Sequence, residues 1–439
     1  MAEKLLSQDL EIESHFISAK HSKPFWITSN NNGIYEAGSI LNLKIQKKTG
    51  NLSYKFNIAM PKPFNLNKIL LYDSEMTYNK NNILYSFSRK NISQKDNYLS
   101  SGSLVESNNS LGIPRIFIGN LNFNQSKILN YKFSISHGWA DKAQYQQSPY
   151  LHEKTFHIMK NVSGYSFTLG LRHFAVWGGE TIHHGKLSSG LGDFIKVIFA
   201  RPGSKSSIKQ EQENSLGNHL GVWDFSFERK IKDKLFTLYY EHPFEDESGA
   251  RWFLNEFDGK YGFNVTSFKS TFISEIIYEF IYTMDQSGPQ GASDSSYGWD
   301  NYFNHYIYQS GWTYNSRMIG NPLFTVGKNP DRYNDGIYII NNRIKAHHFG
   351  LAGKIRHNAN YRILFTYSKN HGIYPDQNYF QSINKDYKFE DGLEQLSTLY
   401  EIKLKNLWGN ISITAAYAND RGDLLPKTDS FMMIINYKL

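Results

Sequence analysis

Apolar residues recur at every second position through one segment of this chain after another. In the last nine residues, Phe431, Met433, Ile435, Tyr437 and Leu439 share one face of an extended strand. Met432, Ile434, Asn436 and Lys438 share the other. Successive side chains of a strand point to opposite faces, so this alternation predicts β-structure. A closing strand with one wholly apolar face is what a bacterial outer-membrane barrel presents to lipid. An edge strand of a soluble sandwich is the alternative.

The same period runs back along the chain. Ile40 to Lys47 predicts a strand. A Lys48-Thr49-Gly50-Asn51 turn joins it to Leu52, Tyr54, Phe56, Ile58 and Met60 on one face. Trp223, Phe225 and Phe227 pair, across the turn Lys232 to Lys234, with Phe236, Leu238 and Tyr240. Phe272 to Met284 reads as a long strand with Phe272, Tyr278, Phe280 and Tyr282 on one face and Glu275 and Glu279 on the other. A tilted spanning strand takes about 9–11 residues. With turns and some long loops, roughly 24 residues per strand gives about 18 strands. The predicted fold class is therefore all-β, a transmembrane antiparallel β-barrel with long extracellular loops. A short N-terminal segment covers residues 1–10 and a single barrel residues 11–439. Short polar turns are expected at the periplasmic end. Long loops, at 91–114, 142–154, 178–192, 201–221, 243–259, 285–330 and 372–392, are expected to face outward and to carry function.

Composition agrees. Tyr and Phe number 30 each in 439 residues, and charged residues make up 20%. Mean hydropathy is -0.52, which alternation allows in a membrane barrel. No apolar run reaches the roughly 18 residues of a spanning helix; the best, Ile276 to Tyr282, is broken by Glu279. The absence of cysteine excludes thiol catalysis, cysteine-ligated zinc and disulfides. The net charge of +8 is scattered singly rather than in blocks, so nucleic acid is not an expected partner. The first residues, Met1-Ala-Glu-Lys-Leu-Leu-Ser-Gln, hold no signal-peptide core and read as a mature chain with an added Met.

Three loops hold candidate chemistry. In the first, Trp177 to Gly192, Trp177 is expected as a sugar-stacking platform with Glu180, His183 and His184 as polar partners. Adjacent histidines of a strand diverge, so a metal site is not expected there. The alternative is a loop folded into the barrel mouth as a plug. The second runs from Glu245 to Gly249 and is acidic, but it lacks the alternating spacing of a calcium loop. Trp252, just after it, fits a sugar site or an aromatic girdle. In the third, Gly298 to Tyr314, Trp299, Asp300, Asn301, Tyr302, Trp312 and Tyr314 combine flat apolar rings with amide and carboxylate groups. That mixture matches the C–H faces and hydroxyls of a glycan. An aromatic loop packed inside the lumen is the other reading. No motif marks an activated serine near His137, His152, His157 or His173. Glu275 with Glu279, or Asp294 with Asp300, are formally possible acid pairs; solvated pore charges is the reading taken for the glutamates. No catalytic residue, metal or cofactor is assigned.

Several stretches resemble the Wzi-type capsule assembly family in its Bacteroidetes form. They are Pro24-Phe25-Trp26 with Gly33, Gly170-Leu171-Arg172-His173 leading to Trp177-Gly178-Gly179, and Asn218-His219-Leu220-Gly221-Val222-Trp223-Asp224-Phe225. Tyr239-Tyr240-Glu241-His242 follows. The longest runs from Asn301-Tyr302-Phe303-Asn304-His305 through Gly311-Trp312-Thr313-Tyr314 to Ile319-Gly320-Asn321-Pro322. The resemblance implies an 18-stranded outer-membrane lectin, not an enzyme, that retains capsular polysaccharide at the surface of a Gram-negative cell. Better-known members begin with a small helical plug on the periplasmic side. Strand-like sequence from Glu11 implies that this plug is reduced or absent here. Other expected partners are outer-membrane lipid, lipopolysaccharide and, during biogenesis, the barrel-assembly machinery. The alternatives are a diffusion porin or the barrel subunit of a surface export complex.

Overall fold

A computed structural model describes residues 9–18, 22–61, 69–91, 97–120, 122–126, 128–140, 146–245, 255, 257–269, 272–286, 300–329, 336–373 and 388–439. Eighteen strands form one antiparallel sheet in which each pairs with its sequence neighbours. Asp9–Ser18 pairs with both Ile40–Thr49 and the last strand, Thr428–Lys438, closing the cylinder. Closure leaves no unpaired strand edge, which hydrocarbon would not tolerate. No helix among the described residues is long and apolar enough to cross a membrane.

Register explains the alternation. Phe225 lies opposite Tyr240 and Phe227 opposite Leu238, so the aromatic faces of the two strands coincide. These residues, with Phe167, Leu169, Phe263 and Tyr278, form part of an outward belt. On the closing strand Phe431, Met433, Tyr437 and Leu439 are exposed, whereas Ser430 and Met432 face inward and are buried. A belt of exposed Phe, Leu, Ile, Met and Tyr around a closed sheet is stable only against lipid.

Two strands differ in length from expectation. The one predicted for Phe272 to Met284 spans Glu275–Tyr282, with Ile273 and Ser274 before it and Thr283 and Met284 after it outside the strand. Another strand, Lys388–Leu407, is twice the roughly 10 residues expected of a spanning strand.

The larger departure concerns the loops. Several expected to project outward turn into the lumen. Residues 22–39, which include the helix Phe25–Thr28, bury Trp26, Ile27, Ile34 and Tyr35. Leu99, Leu104, Val105, Leu111 and Ile113 come from the 97–114 loop, and Tyr302, Phe303, Trp312 and Phe324 from the 300–326 segment. They meet wall residues Phe174, Leu220, Ile277, Ile281 and Leu364 in one apolar core. The barrel is thus filled from the end that carries its long loops.

Candidate functional site

The loop filling begins with charge. Strands place Arg172, Asp224, Glu241, Lys260 and Glu279 on neighbouring inward positions. Arg172 donates to both carboxylate oxygens of Asp224, from Nε at 2.7 Å and Nη2 at 2.8 Å. Lys260 Nζ sits 3.3 Å from Glu241 and 3.4 Å from Glu279. The 97–114 loop supplies the remaining donors. Ser100 Oγ donates to Glu279 at 2.6 Å, and the Ser101 amide at 2.8 Å. The Leu104 amide donates to Glu241 at 2.8 Å. A second node, Arg115 between Glu106 and Glu153, pins the far end of the loop at 2.6 and 2.8 Å. Buried charges persist only when paired and hydrogen-bonded, and here the loop completes the pairing. This overturns the reading of Glu279 as a solvated pore charge: it is fully buried. Two glycines leave room for the inward rings. A Cβ at Gly262 would lie 2.0 Å from the Tyr239 ring and one at Gly170 2.0 Å from the His157 ring.

Above this filling lies a cavity of about 260 Å³ on the long-loop side. Its walls are the inward hydroxyls and amides Thr366, Ser368, Asn370, Gln395 and Ser397. Phe25, Thr28 and Ser29 come from the first loop, and Ser316, Arg317, Leu323 and Phe324 from the 300–326 segment. Arg317 is held by Nη1 donating to Thr28 O at 3.1 Å and Asn109 Oδ1 at 3.2 Å. The cavity therefore combines hydroxyls, amides and one guanidinium with apolar faces. It is slightly smaller than the roughly 300–1,000 Å³ of a drug-sized ligand pocket. Two larger grooves are almost wholly apolar and lie on the outer wall among residues such as Phe431, Tyr417 and Phe167, so they belong to the lipid belt.

Among the described residues, those singled out in the sequence do not line this cavity. Tyr302 and Trp312 are fully buried and Tyr314 nearly so, and none of the three offers a ring face to a polymer. Trp312 Nε1 donates to Val105 O at 2.6 Å, tying the 300–326 segment to the 97–114 loop. The expected glycan amides bond to one another instead. Asn301 Oδ1 accepts from Asn342 at 2.6 Å and Asn304 at 2.9 Å. The Asp258 carboxylate accepts from the Tyr302 hydroxyl at 2.9 Å and from the Asp285 and Gln286 amides at 2.9 and 2.7 Å. Burial pushes the Asp258 carboxyl up to about 7 against the pull of those donors. The backbone amide of Asp300 donates to Gln286 O at 3.3 Å.

Trp177 ends an outward-facing row of its strand and is covered by Phe194, with ring centroids 5.6 Å apart. It stands on the outer wall rather than at the mouth. Glu180 and His183 are exposed on a small hairpin in which Glu180–Thr181 pairs with both Gly185–Lys186 and Gln146–Gln147. His183 and His184 sit in its turn rather than on a strand, and Leu187, just after the hairpin, is buried against Ile307 and Tyr308. Trp252, Trp299, Asp294 and most of the 245–249 acidic run lie outside the described residues. Among the described residues no cluster of three or more metal-ligating side chains occurs.

A closed 18-stranded cylinder with a lipid-facing belt, a packed lumen and a polar cavity at one mouth defines a bacterial outer-membrane barrel. The chain belongs to the capsule assembly protein Wzi family, whose model matches residues 98–329. No curated protein matches it. Among solved structures it is similar to Wzi of Escherichia coli, described as an outer membrane protein involved in group 1 capsule assembly and a carbohydrate-binding β-barrel. That match has 14% identity and TM-score 0.61 and covers 100% of this chain and 86% of that one. It is also similar to OccK5 of Pseudomonas aeruginosa, at 9% identity and TM-score 0.48, covering 98% of this chain and 97% of that one. At 14% identity the likeness to Wzi of Escherichia coli shows the shared fold.

Proposed function

We propose that this protein binds extracellular, capsule-type polysaccharide at the mouth of its barrel and retains it on the cell surface, acting by binding and not by catalysis. The observation that carries this reading is the mouth cavity, in a barrel of the Wzi family whose lumen is packed beneath it. Hydroxyls, amides and Arg317 offer hydrogen bonds to sugar hydroxyls or acidic sugars. Phe25 offers apolar surface to C–H faces. Glu180 and His183 on the exposed hairpin, with Trp252 and Trp299, provide further contact along a polymer. Many weak contacts on a repeating chain sum to firm retention. Lipopolysaccharide around the belt and the barrel-assembly machinery are the further partners this reading includes.

The packed lumen favours this reading over a diffusion channel. The test is binding of purified protein to capsular polysaccharides, on an array and in solution. Arg317→Ala is expected to weaken binding several-fold per site with the barrel intact, and Glu180→Ala with His183→Ala to weaken it further. Wild-type protein that retains no polysaccharide while showing steady conductance in a planar bilayer would favour the channel instead.

A further inference from the structure

The loop that leaves the barrel after Trp177 returns along the outside of the wall. Its helix Leu191–Ile198 packs one side on the cylinder: Val197 is buried with Ala175, Trp177 and Leu216, and Phe194 lies against His137 and His152. His137, His152 and Ala175 lie side by side across three strands, in the outward-facing register. The other side of the helix is also apolar. Leu191, Ile195 and Phe199, spaced four apart and hence on one face, are exposed at 79%, 53% and 65%.

The height of this helix on the wall is fixed by Lys154, whose ammonium donates to the carbonyl of Ile198. Lys154 points outward with Ile135 and His173 as its cross-strand partners. Two residues lower on the same strand and face is Phe156, 54% exposed and part of the lipid belt. Two strand residues are about 6.6 Å. The C-terminal end of the helix therefore meets the wall directly above the belt, and its exposed face continues the belt upward. Phe194 lies against His152, and Val197 against Ala175, which pairs with His152, so the helix runs around the wall at one register level. Phe199 ends the helix, followed by exposed Arg201, whose carbonyl accepts from the Leu216 amide at 3.0 Å, two residues before the strand Asn218–Ile231.

We propose that Gly190 to Arg201 is a membrane foot. It lies in the headgroup–acyl boundary of the outer leaflet, with Phe199 and Ile195 in the acyl layer and Arg201 at the level of the lipid phosphates. An amphipathic helix seated at this depth is stabilised by buried apolar area and by cation–phosphate attraction. The occupant of the face is lipid because the face is continuous with the belt that lipid already covers. Eight residues of rise separate Leu191 from Phe199 by about 12 Å along the wall, so Leu191, Ile195 and Phe199 meet the bilayer at similar depth. The inference is independent of polysaccharide binding.

The chain holds no cysteine, so single-cysteine variants label cleanly. Phe199→Cys, Ile195→Cys and Leu191→Cys, each carrying an environment-sensitive fluorophore, are placed in full-length protein in phosphatidylcholine–phosphatidylglycerol vesicles. Phe156→Cys in the belt and Ile182→Cys on the rim hairpin serve as references. The expected result is loss of iodide quenching at Phe199 and Ile195 to the level of the Phe156 label. Shallow spin-labelled lipid should quench all three positions. Iodide quenching equal to that of the Ile182 label overturns the proposal. Shielding from both quenchers also overturns it, because a protein partner or second copy would then cover the face. Using three positions keeps the test intact if one variant fails to fold.

Discussion

Truncating Glu279 should release the loop that fills the lumen. Its carboxylate accepts from Ser100 Oγ, the Ser101 amide, Ser101 Oγ and Tyr239 Oη, and it faces Lys260 Nζ at 3.4 Å. Each hydrogen bond to a charged group contributes about 1.5–3 kcal/mol net, and removing one partner of a buried ion pair costs about 3–5 kcal/mol. These terms overlap, because the bonds and the pair share one carboxylate. A local cost of about 4 kcal/mol for Glu279→Ala is therefore the reasonable sum. At about 1.4 kcal/mol per tenfold, the population with the 97–104 stretch undocked should rise roughly a thousandfold. The direct readout is hydrogen exchange at the Ser101 amide, which donates to Glu279. The Leu104 amide, held by Glu241, should respond less. Planar-bilayer recordings should show openings absent from the wild type, and Glu279→Gln, which keeps an acceptor, should lie between. Ser101 protection within about tenfold of wild type, equivalent to about 1.4 kcal/mol, would refute the claim that this carboxylate docks the loop.

Three further outcomes are expected. Met433→Arg puts a charge mid-strand on the lipid face and should cost about 2–4 kcal/mol in reversible unfolding from vesicles; a negligible cost would mean that this face is not in hydrocarbon. Trp312→Ala removes a fully buried indole and its bond to Val105 O, so it should cost about 3–5 kcal/mol by the same measurement. Any accompanying loss of glycan binding would follow from a displaced 300–326 segment, which Trp312→Phe should largely restore. Asp258 has a folded-state pKa of about 7, raised from 3.8. The folded form therefore holds its proton more firmly, and loop packing should be strongest below the lower value and weaken as pH rises through 7. Opening free energies from exchange at Tyr302 should show this slope, and Asp258→Asn should flatten it.

The belt was legible in the sequence because side-chain facing in a strand is a local property. Phe431, Met433, Tyr437 and Leu439 reveal their lipid face by spacing alone, as do Phe225 and Phe227 opposite Tyr240 and Leu238. The mouth cavity was not legible. Its wall residues Thr366, Ser368, Asn370, Gln395 and Ser397 carry one signal, polar side chains at every second position of a strand. That signal marks any lumen wall, filled or open. The aromatic and amide segment around Asn301 to Tyr314 drew attention for a sound reason, but its composition suits two environments equally. A glycan site and a packed loop core both need rings with hydrogen-bonding groups among them.

What decides between those environments is contact across long separations. Ser101 meets Glu279 from 178 residues away and Trp312 meets Val105 from 207. The sequence by itself determined the barrel, its strand number and its membrane face, because a period of two and the lipid solvent act residue by residue. The tertiary structure alone decided that loops fill the lumen, that Trp177 and Trp312 are packed against the scaffold, and that one helix returns along the outer wall. Those outcomes depend on which buried charges and orphaned backbone groups find partners once the cylinder has closed, and no local pattern encodes that pairing.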